Sequence, residues 1–356
     1  MSASREPQDP SFTVILRELA SRRIHHLQET HAMERIILDC DPGHDDAIAI
    51  LLAAGNPEIE LLGITTVAGN NTIENVTTNA QAVCQVAGID VPIARGASEP
   101  LVTPQIVSHD IHGGTGMDGP VLPEITGELD PRHAVDFIID TVMAEPAGTV
   151  TLVPVGPFTN IALAMRKEPR IIERVKGVVV MGGSYTRGNV TPSAEYNIYV
   201  DPEAAEAVFR GAWPVTMVGL DLTHQALATQ ELQDRVRAVG GEVAQFVLDI
   251  WGFIGKTYED VFEFPAPPVH DACCVAYLID PAVMKTEAAH VAVELHGQWT
   301  KGMTVVNFAD RPGMHHSTGV AVDLQDHRAQ VATELDWDRF ADLVAGSIER
   351  IAARSA

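Results

Sequence analysis

The chain is poor in cysteine, in basic residues and in long apolar runs, and each shortage excludes a class of protein. Its 4 cysteines in 356 residues show no CxxC spacing, so neither a zinc ribbon nor a disulfide framework is expected. The formal net charge is −24, from 48 acidic against 24 basic residues, and such a surface repels nucleic-acid phosphates. Because no apolar run reaches membrane-spanning length, we expect a cytoplasmic protein without membrane contact.

Asp39-Cys40-Asp41-Pro42-Gly43-His44-Asp45-Asp46 is the segment richest in chemical groups, with four carboxylates in eight residues. It follows the apolar run Ile36-Ile37-Leu38, contains a Pro-Gly turn signal and precedes an apolar, helix-forming run. This order predicts a strand, a tight turn and a helix. The first two acids are expected on one face of the strand, and the last two in the first turn of the helix, where the helix dipole favours anions.

Four carboxylates this close repel one another, so a fold that gathers them needs a compensating cation, and a hard ion such as Ca²⁺ or Mg²⁺ is the natural candidate. A purely structural alternative treats the acids as helix caps, which accounts for one or two of them. A second alternative is a phosphatase in which a strand-end DxD motif supplies an aspartyl nucleophile. Such sites usually follow the second Asp with a spacer and then Thr or Val, whereas this chain has Gly43 at that position and two further acids after it.

Strand-like and helix-like segments alternate along the chain from residue 35 onward. Apolar runs predict strands at residues 36–39, 59–67, 149–155, 177–181 and 213–218, and helices at 45–54, 72–87, 158–166 and 202–209. Strands buried on both faces with helical crossovers predict an α/β fold with an open, mostly parallel central sheet and helices on both faces, a Rossmann-like core. Ligands of such sheets bind at the carboxyl ends of the strands.

Two stretches fall outside this alternation. Residues 1–32 mix charges, proline and histidine and are predicted to be a poorly ordered N-terminal extension, followed by a single domain over residues 33–356. Residues 98–123 are glycine-rich and aperiodic, which is typical of a lid or a disordered loop, and they include His112.

Several motifs, in this order, resemble the inosine–uridine-preferring nucleoside hydrolase family from about Met33 almost to the C terminus. The carboxylate-rich segment is the first of them. The others are Thr65-Thr66-Val67-Ala68-Gly69-Asn70, Pro157-Phe158-Thr159-Asn160-Ile161-Ala162, Met181-Gly182-Gly183, Gly188-Asn189, Ala194-Glu195-Tyr196-Asn197, Asp201-Pro202-Glu203-Ala204-Ala205 and Val269-His270-Asp271-Ala272. The resemblance implies the nucleoside hydrolase fold, hydrolysis of the N-glycosidic bond of ribonucleosides to free base and ribose, and a bound Ca²⁺.

The resemblance also implies roles for individual residues. The metal would be held by the carboxylates of Asp41, Asp46 and Asp271 and by the backbone carbonyl of Val155, where the family often has threonine. Asp41 would act as general base on a metal-bound water. The ribose would contact the residues Asp45, Asn70, Met181, Asn189, Glu195, Asn197 and Asp271.

The base would contact His112, Tyr258 and His270, with His270 as the acid that protonates the leaving group. Ile254 stands where relatives often have an aromatic residue, so the base-binding arrangement is not determined by the resemblance. A purely structural role is the alternative for several of these residues. Asn70, Asn189 and Asn197 could be turn residues, Glu195 a solvated loop acid, His112 an exposed loop histidine without a function, Tyr258 a packing residue and His270 a hydrogen-bonded core residue.

The predicted function is therefore calcium-dependent ribonucleoside hydrolysis in nucleoside salvage, by a cytoplasmic homodimer or homotetramer with no nucleic-acid or membrane partner. One alternative is a hydrolase of another N-riboside, such as nicotinamide riboside. The other is a catalytically silent nucleoside-binding protein, against which stands the presence of every acid that metal binding and water activation need.

Overall fold

The structure is a computed structural model that describes residues 33–262, 264–309 and 328–354. The predicted N-terminal extension, residues 1–32, lies outside the described residues, so that prediction is not tested. The described residues from Glu34 onward belong to one compact unit.

Nine strands form one sheet in the part of the chain that the structure describes. They are β1 (Glu34–Cys40), β2 (Ile59–Thr66), β3 (Ile93–Arg95), β4 (Val150–Pro154), β5 (Gly177–Met181), β6 (Val215–Val218), β7 (Met284–Val293), β8 (Thr304–Phe308) and β9 (Ala329–Leu335). Their order in the sheet is β3-β2-β1-β4-β5-β6-β9-β7-β8. All neighbouring strands pair in parallel except β7, which runs antiparallel to β8 and β9. The predicted mostly parallel α/β sheet is confirmed.

Helices cover both faces of this sheet. They are α1 (His44–Gly55), α2 (Ile73–Val86), α3 (His109–His112), α4 (Ala134–Ala144), α5 (Thr159–Lys167), α6 (Ile171–Arg174), α7 (Tyr196–Val200), α8 (Pro202–Phe209), α9 (Leu220–Thr223), α10 (Gln230–Val239), α11 (Gly241–Phe262), α12 (Ala272–Ile279) and α13 (Trp337–Arg354), with a 3₁₀ turn at Pro281–Val283. Within the described ranges, no helix is both long and apolar enough to cross a bilayer.

Strand β1 shows how the sheet separates two hydrophobic cores. Ile36, Leu38 and Cys40 pack into one core together with the apolar residues of α1, whereas Ile37 belongs to the core on the opposite face. Side chains alternate across a strand, so a run of apolar residues is buried on both faces. Because β1 lies between β2 and β4, the acids that follow it lie beside the carboxyl ends of both of these strands.

Asp39 does not share the surroundings of Asp41, although both were expected on one face. Asp39 is a fully buried residue of β1, and its Oδ1 accepts hydrogen bonds from Thr65 Oγ1 at 2.6 Å and from Asn160 Nδ2 at 2.8 Å. Burial raises the pKa of Asp39 to about 7, against the effect of these two hydrogen bonds. Asp39 is therefore a structural acid that ties β1 to β2 and α5.

Asn160 holds this junction together and is expected to matter for stability. Its Nδ2 also donates to Thr66 O at 2.9 Å, and its Oδ1 accepts from Ala97 N at 3.0 Å. Because Asn160→Ala leaves several buried polar groups without partners, it should lower the free energy of unfolding by about 2–4 kcal/mol, measured by urea denaturation. Thr78→Ala is the control, since it removes an exposed hydroxyl and should cost under about 0.5 kcal/mol. Equal losses in the two variants would contradict this account.

Candidate active site

A cavity opens at the carboxyl ends of β1, β2, β4 and β5, where a parallel sheet is expected to bind ligands. Every sequence-predicted site residue lines it except Asp41 and Asp46, which contact Asn70 in its wall. The lining residues are Asp45, Asn70, Ser108, Ile111, His112, Val155, Met181, Asn189, Val190, Glu195, Tyr196, Asn197, Tyr258, His270 and Asp271. Residues distant in sequence thus converge on one cavity.

Three carboxylates meet at one side of this cavity. Oxygen atoms of Asp45, Asp46 and Asp271 lie within 4.8 Å of one another. The first two lie in the first turn of α1, and Asp271 directly precedes α12, which packs against α1. Both oxygens of Asp46 accept backbone hydrogen bonds, Oδ1 from Asp41 N at 3.1 Å and Oδ2 from Gly43 N at 2.9 Å. The turn between β1 and α1 therefore sets the orientation of Asp46.

Asp41 lies just beyond β1 and against the same cluster. Its Oδ2 accepts from Asn70 N at 2.6 Å, while its buried Oδ1 has no hydrogen-bond partner. A Cβ at Gly69 would lie 2.1 Å from Oδ2, and a Cβ at Gly156 would lie 2.5 Å from Oδ1. Glycine is required at both positions because the backbone approaches the carboxylate too closely for any side chain.

The four acids fit a hard cation. Burial first, and then neighbouring carboxylates, raise the pKa values of Asp41 and Asp271 well above the usual range, and the same causes raise the pKa of Asp45 to about 7. Among the described residues, none of the acids forms an ion pair with lysine or arginine. Without a cation these carboxylates could not all be ionised at neutral pH. All-oxygen donors of this kind suit Ca²⁺ or Mg²⁺.

Val155 and Asn197 connect the acidic cluster to the opposite wall. The Val155 carbonyl, predicted to bind the metal, accepts from Asn197 Nδ2 at 2.7 Å, and the same amide donates to Met181 O at 3.1 Å. A carbonyl oxygen has two lone pairs, so the Val155 oxygen retains acceptor capacity. Asn197 lies within helix α7 and is buried, and the alternative of a turn residue is therefore wrong.

Glu195 is a buried helix cap. Its carboxylate accepts from the backbone N–H groups of Asn197 at 2.9 Å, Gly183 at 2.9 Å and Ile198 at 3.2 Å. Only 2% of its surface is exposed, so the alternative of a solvated loop acid is wrong. Burial raises the pKa of Glu195 to about 7, against the effect of these backbone donors.

On the far side of the cavity, His270 lies between two hydroxyl groups. Its Nδ1 lies 2.7 Å from Thr223 Oγ1, and its Nε2 lies 3.0 Å from the Tyr258 hydroxyl. Burial, with a smaller contribution from His224, lowers the pKa of His270 to about 3, so the ring is neutral in the free protein. Ile254 is buried and, together with Tyr258, lines a smaller neighbouring cavity.

His112 is not an exposed loop residue. Only 8% of its surface is accessible, and its Nδ1 lies 3.0 Å from Nδ1 of His44, whose Nε2 lies 2.8 Å from the carbonyl oxygen of Asp118. The glycine-rich segment around it includes the short helix α3 and a turn in which the Asp118 carboxylate accepts from Gly114 N and Thr115 N. Burial lowers the pKa values of both histidines.

Several residues of the site were not predicted from the sequence. Tyr196 lines the cavity, and its hydroxyl donates a hydrogen bond to Gly69 O at 2.8 Å. Its position between the predicted site residues Glu195 and Asn197 could have identified it as a site residue. Ser108, Ile111 and Val190 also line the cavity. The sequence gives no such signal for the contacts of Thr223 and His44, because each of them contacts a histidine that is distant in sequence.

A parallel α/β sheet that gathers carboxylates around a cavity at its strand ends is typical of proteins that bind or transform a small molecule. A family model described as "Inosine-uridine preferring nucleoside hydrolase" matches residues 36–342. The chain belongs to this family and is a nucleoside hydrolase, an N-glycosidase. This membership favours the hydrolase over the phosphatase and over a catalytically silent binding protein.

Curated relatives and solved structures agree on this class. The chain is 54% identical over 320 residues to an inosine-uridine preferring nucleoside hydrolase of Leishmania major, across 89% of this chain and 98% of the relative. It is 44% identical over 315 residues to the pyrimidine-specific ribonucleoside hydrolase RihB of Escherichia coli (strain K12), across 88% and 98% of the two chains. The structure of a purine-preferring ribonucleoside hydrolase from Gardnerella vaginalis is similar with a TM-score of 0.81 at 34% identity, covering 89% of this chain and 99% of the other.

Proposed function

We propose that the protein hydrolyses the N-glycosidic bond of ribonucleosides to free base and ribose, in nucleoside salvage, with Ca²⁺ bound at the acidic cluster. The observation that carries the proposal is the cluster of Asp45, Asp46 and Asp271 on one side of a cavity whose other walls carry hydrogen-bonding groups. The names of the relatives support ribonucleosides as the substrate class.

The cation would be held by Asp41, Asp46 and Asp271 together with the Val155 carbonyl, and Asp45 lies close enough to contribute. A divalent cation at such a site supplies Lewis acidity, which lowers the pKa of water and of hydroxyl groups bound to it. The remaining chemistry is assigned to the side chains of this chain.

Asp41 is proposed as the general base. Its Oδ2 is occupied by the Asn70 backbone N–H, whereas Oδ1 has no partner and can take a proton from the water molecule that attacks C1′ of the ribose. The proton therefore moves to Oδ1 as the bond between water and C1′ forms.

The ribose hydroxyls are proposed to bind the polar groups of the same cavity: Asp45, Asn70, Asn189, Glu195, Asn197 and Asp271, with Met181 beneath the sugar ring. Glu195 is held by three backbone donors, so its carboxylate needs no rearrangement when a hydroxyl donates to it. Because the acceptor is already oriented, little conformational entropy is lost when the substrate binds.

The base is proposed to lie between His112 on one side and Tyr258 with His270 on the other. Because His270 is neutral, an Nε2–H donated to the Tyr258 oxygen 3.0 Å away would direct the Tyr258 O–H to the departing base, at the point where negative charge develops. Ile254 offers apolar contact beside Tyr258, where relatives often have an aromatic residue that could stack on the base. The order of preference among the bases is therefore a result of the assay below.

The test is release of base and ribose from inosine, guanosine, adenosine, uridine, cytidine and nicotinamide riboside. We expect release from at least one of the five nucleosides and a ranking among them. Release from nicotinamide riboside alone would support the other N-riboside instead. Light scattering of the same preparation tests the predicted homodimer or homotetramer.

Calcium is expected to stabilise the folded protein by about 3 kcal/mol at roughly 100 times its dissociation constant, because the unfolded chain has no preformed site. Urea denaturation in excess chelator and after calcium addition measures this increment. Asp271→Asn should abolish it, whereas Asp90→Asn, which alters an exposed acid, should keep it. A calcium increment that is equal in both variants would contradict the assignment of the site.

A further inference from the structure

His44 has no role in the proposed chemistry, although it lies beside the cavity and only 1% of its surface is exposed. It lies between two aromatic rings, with Phe253 stacked at a centroid distance of 5.1 Å and 7° between the planes, and His112 at 5.3 Å and 19°. This packing fixes the plane of the His44 imidazole. The contacts of Nδ1 and Nε2 with His112 and with the Asp118 carbonyl then fix how the ring is turned within that plane.

The hydrogen bonds determine where the protons lie. A backbone carbonyl can only accept, so Nε2 of His44, 2.8 Å from the Asp118 oxygen, must carry a hydrogen. Both rings are buried, and burial favours the neutral form, in which the second nitrogen of each ring is an acceptor. Nδ1 of His44 is therefore an acceptor, and Nδ1 of His112, 3.0 Å away, must be the donor.

We infer that His44 is a positioning residue that holds His112 in the tautomer with hydrogen on Nδ1, so that Nε2 of His112 accepts a hydrogen bond from the nucleoside. The chain of donors runs from His112 through His44 to the Asp118 carbonyl. His112 lines the cavity of the candidate active site, whereas His44 lines the smaller cavity beside it. His44 thus acts on the substrate through His112.

This inference rests on the proposed function and adds a requirement on the chemical groups of the substrate. A bare imidazole nitrogen favours a substrate with an N–H or O–H group at that position and disfavours one with a lone pair there, because two acceptors cannot pair. The backbone supports the arrangement, since a Cβ at Gly43 would lie 2.8 Å from His112 Nδ1 and would displace the ring.

The first test reads the protons directly. In a protein with ¹⁵N-labelled histidine, long-range ¹H–¹⁵N spectra should show His112 with a protonated Nδ1 and a bare Nε2, the His112 signals being those lost in His112→Ala. His44→Leu should remove this single tautomer. A proton on Nε2 of His112 in the wild-type protein would overturn the inference. Because no substrate is needed, this result is independent of whether the proposed activity is found.

The second test asks whether His44 acts through His112. His44→Leu should lower kcat/KM by about 3- to 10-fold, the value of one oriented hydrogen bond, and His44→Asn, whose side-chain oxygen can replace Nδ1 as an acceptor, should restore most of it. In a His112→Ala background, His44→Leu should change kcat/KM by less than about twofold. Phe253→Leu is the packing control, since it keeps both hydrogen bonds and should cost less than His44→Leu. The same loss from His44→Leu in both backgrounds would overturn the inference.

Discussion

Thymidine is expected to be hydrolysed with a kcat/KM about 10⁴-fold lower than 5-methyluridine, which differs from it only by the 2′-hydroxyl. The cavity wall is rich in acids and amides, among them Asp45, Asn70 and Asp271, and a deoxy sugar would leave some of them without partners. Unpaired buried polar groups are costly, so a site built to bind hydroxyls discriminates strongly. Because the base is the same in both substrates, the ratio reports sugar recognition alone. Rates within tenfold of each other would contradict the proposed ribose site.

Asp41→Asn is expected to lower kcat by about 10²- to 10⁴-fold, the usual contribution of a general base, even at saturating calcium. Asparagine keeps the shape of the side chain and can still accept from Asn70 N, but it cannot take a proton from water. Steady-state kinetics with calcium in excess, together with the bound calcium per chain, separates the loss of the base from a loss of metal.

Asp39→Asn is the matched control for this variant. Asp39 lies in β1 two residues before Asp41 and is as deeply buried, but its carboxylate accepts from Thr65 and Asn160 and lies outside the acidic cluster. We expect a loss of stability with kcat within about threefold of the wild type, since the altered residue touches no substrate. A larger loss of kcat from Asp39→Asn than from Asp41→Asn would reverse the two roles.

The parallel part of the sheet could be predicted from the sequence, because its strands are continuous apolar runs, which indicate strands buried on both faces. Strand β5 and helix α8 match their predicted bounds, and the other predicted elements differ by one or two residues at their ends. The antiparallel strand β7 and its neighbours β8 and β9 were not predicted. Half-exposed and exposed positions interrupt the buried ones in these strands, and their pairing depends on contacts between residues distant in sequence.

The candidate site was predictable to the extent that its residues lie in motifs at strand ends. Position along the chain could not separate Asp39 from Asp41, because their difference depends on Thr65, Asn160 and the glycines that approach from other strands. The burial of Glu195 and His112 likewise depends on long-range packing. The contact between His44 and His112 joins two segments 68 residues apart and has no local signal.

The central claim is hydrolysis of a ribonucleoside by water, and product stoichiometry in phosphate-free buffer with calcium tests it most directly. The account predicts free base and reducing ribose in equal amounts from inosine or uridine, with almost none from Asp41→Asn prepared in parallel. Dependence of the reaction on added phosphate, or no product from any ribonucleoside by a protein with calcium bound, would contradict it.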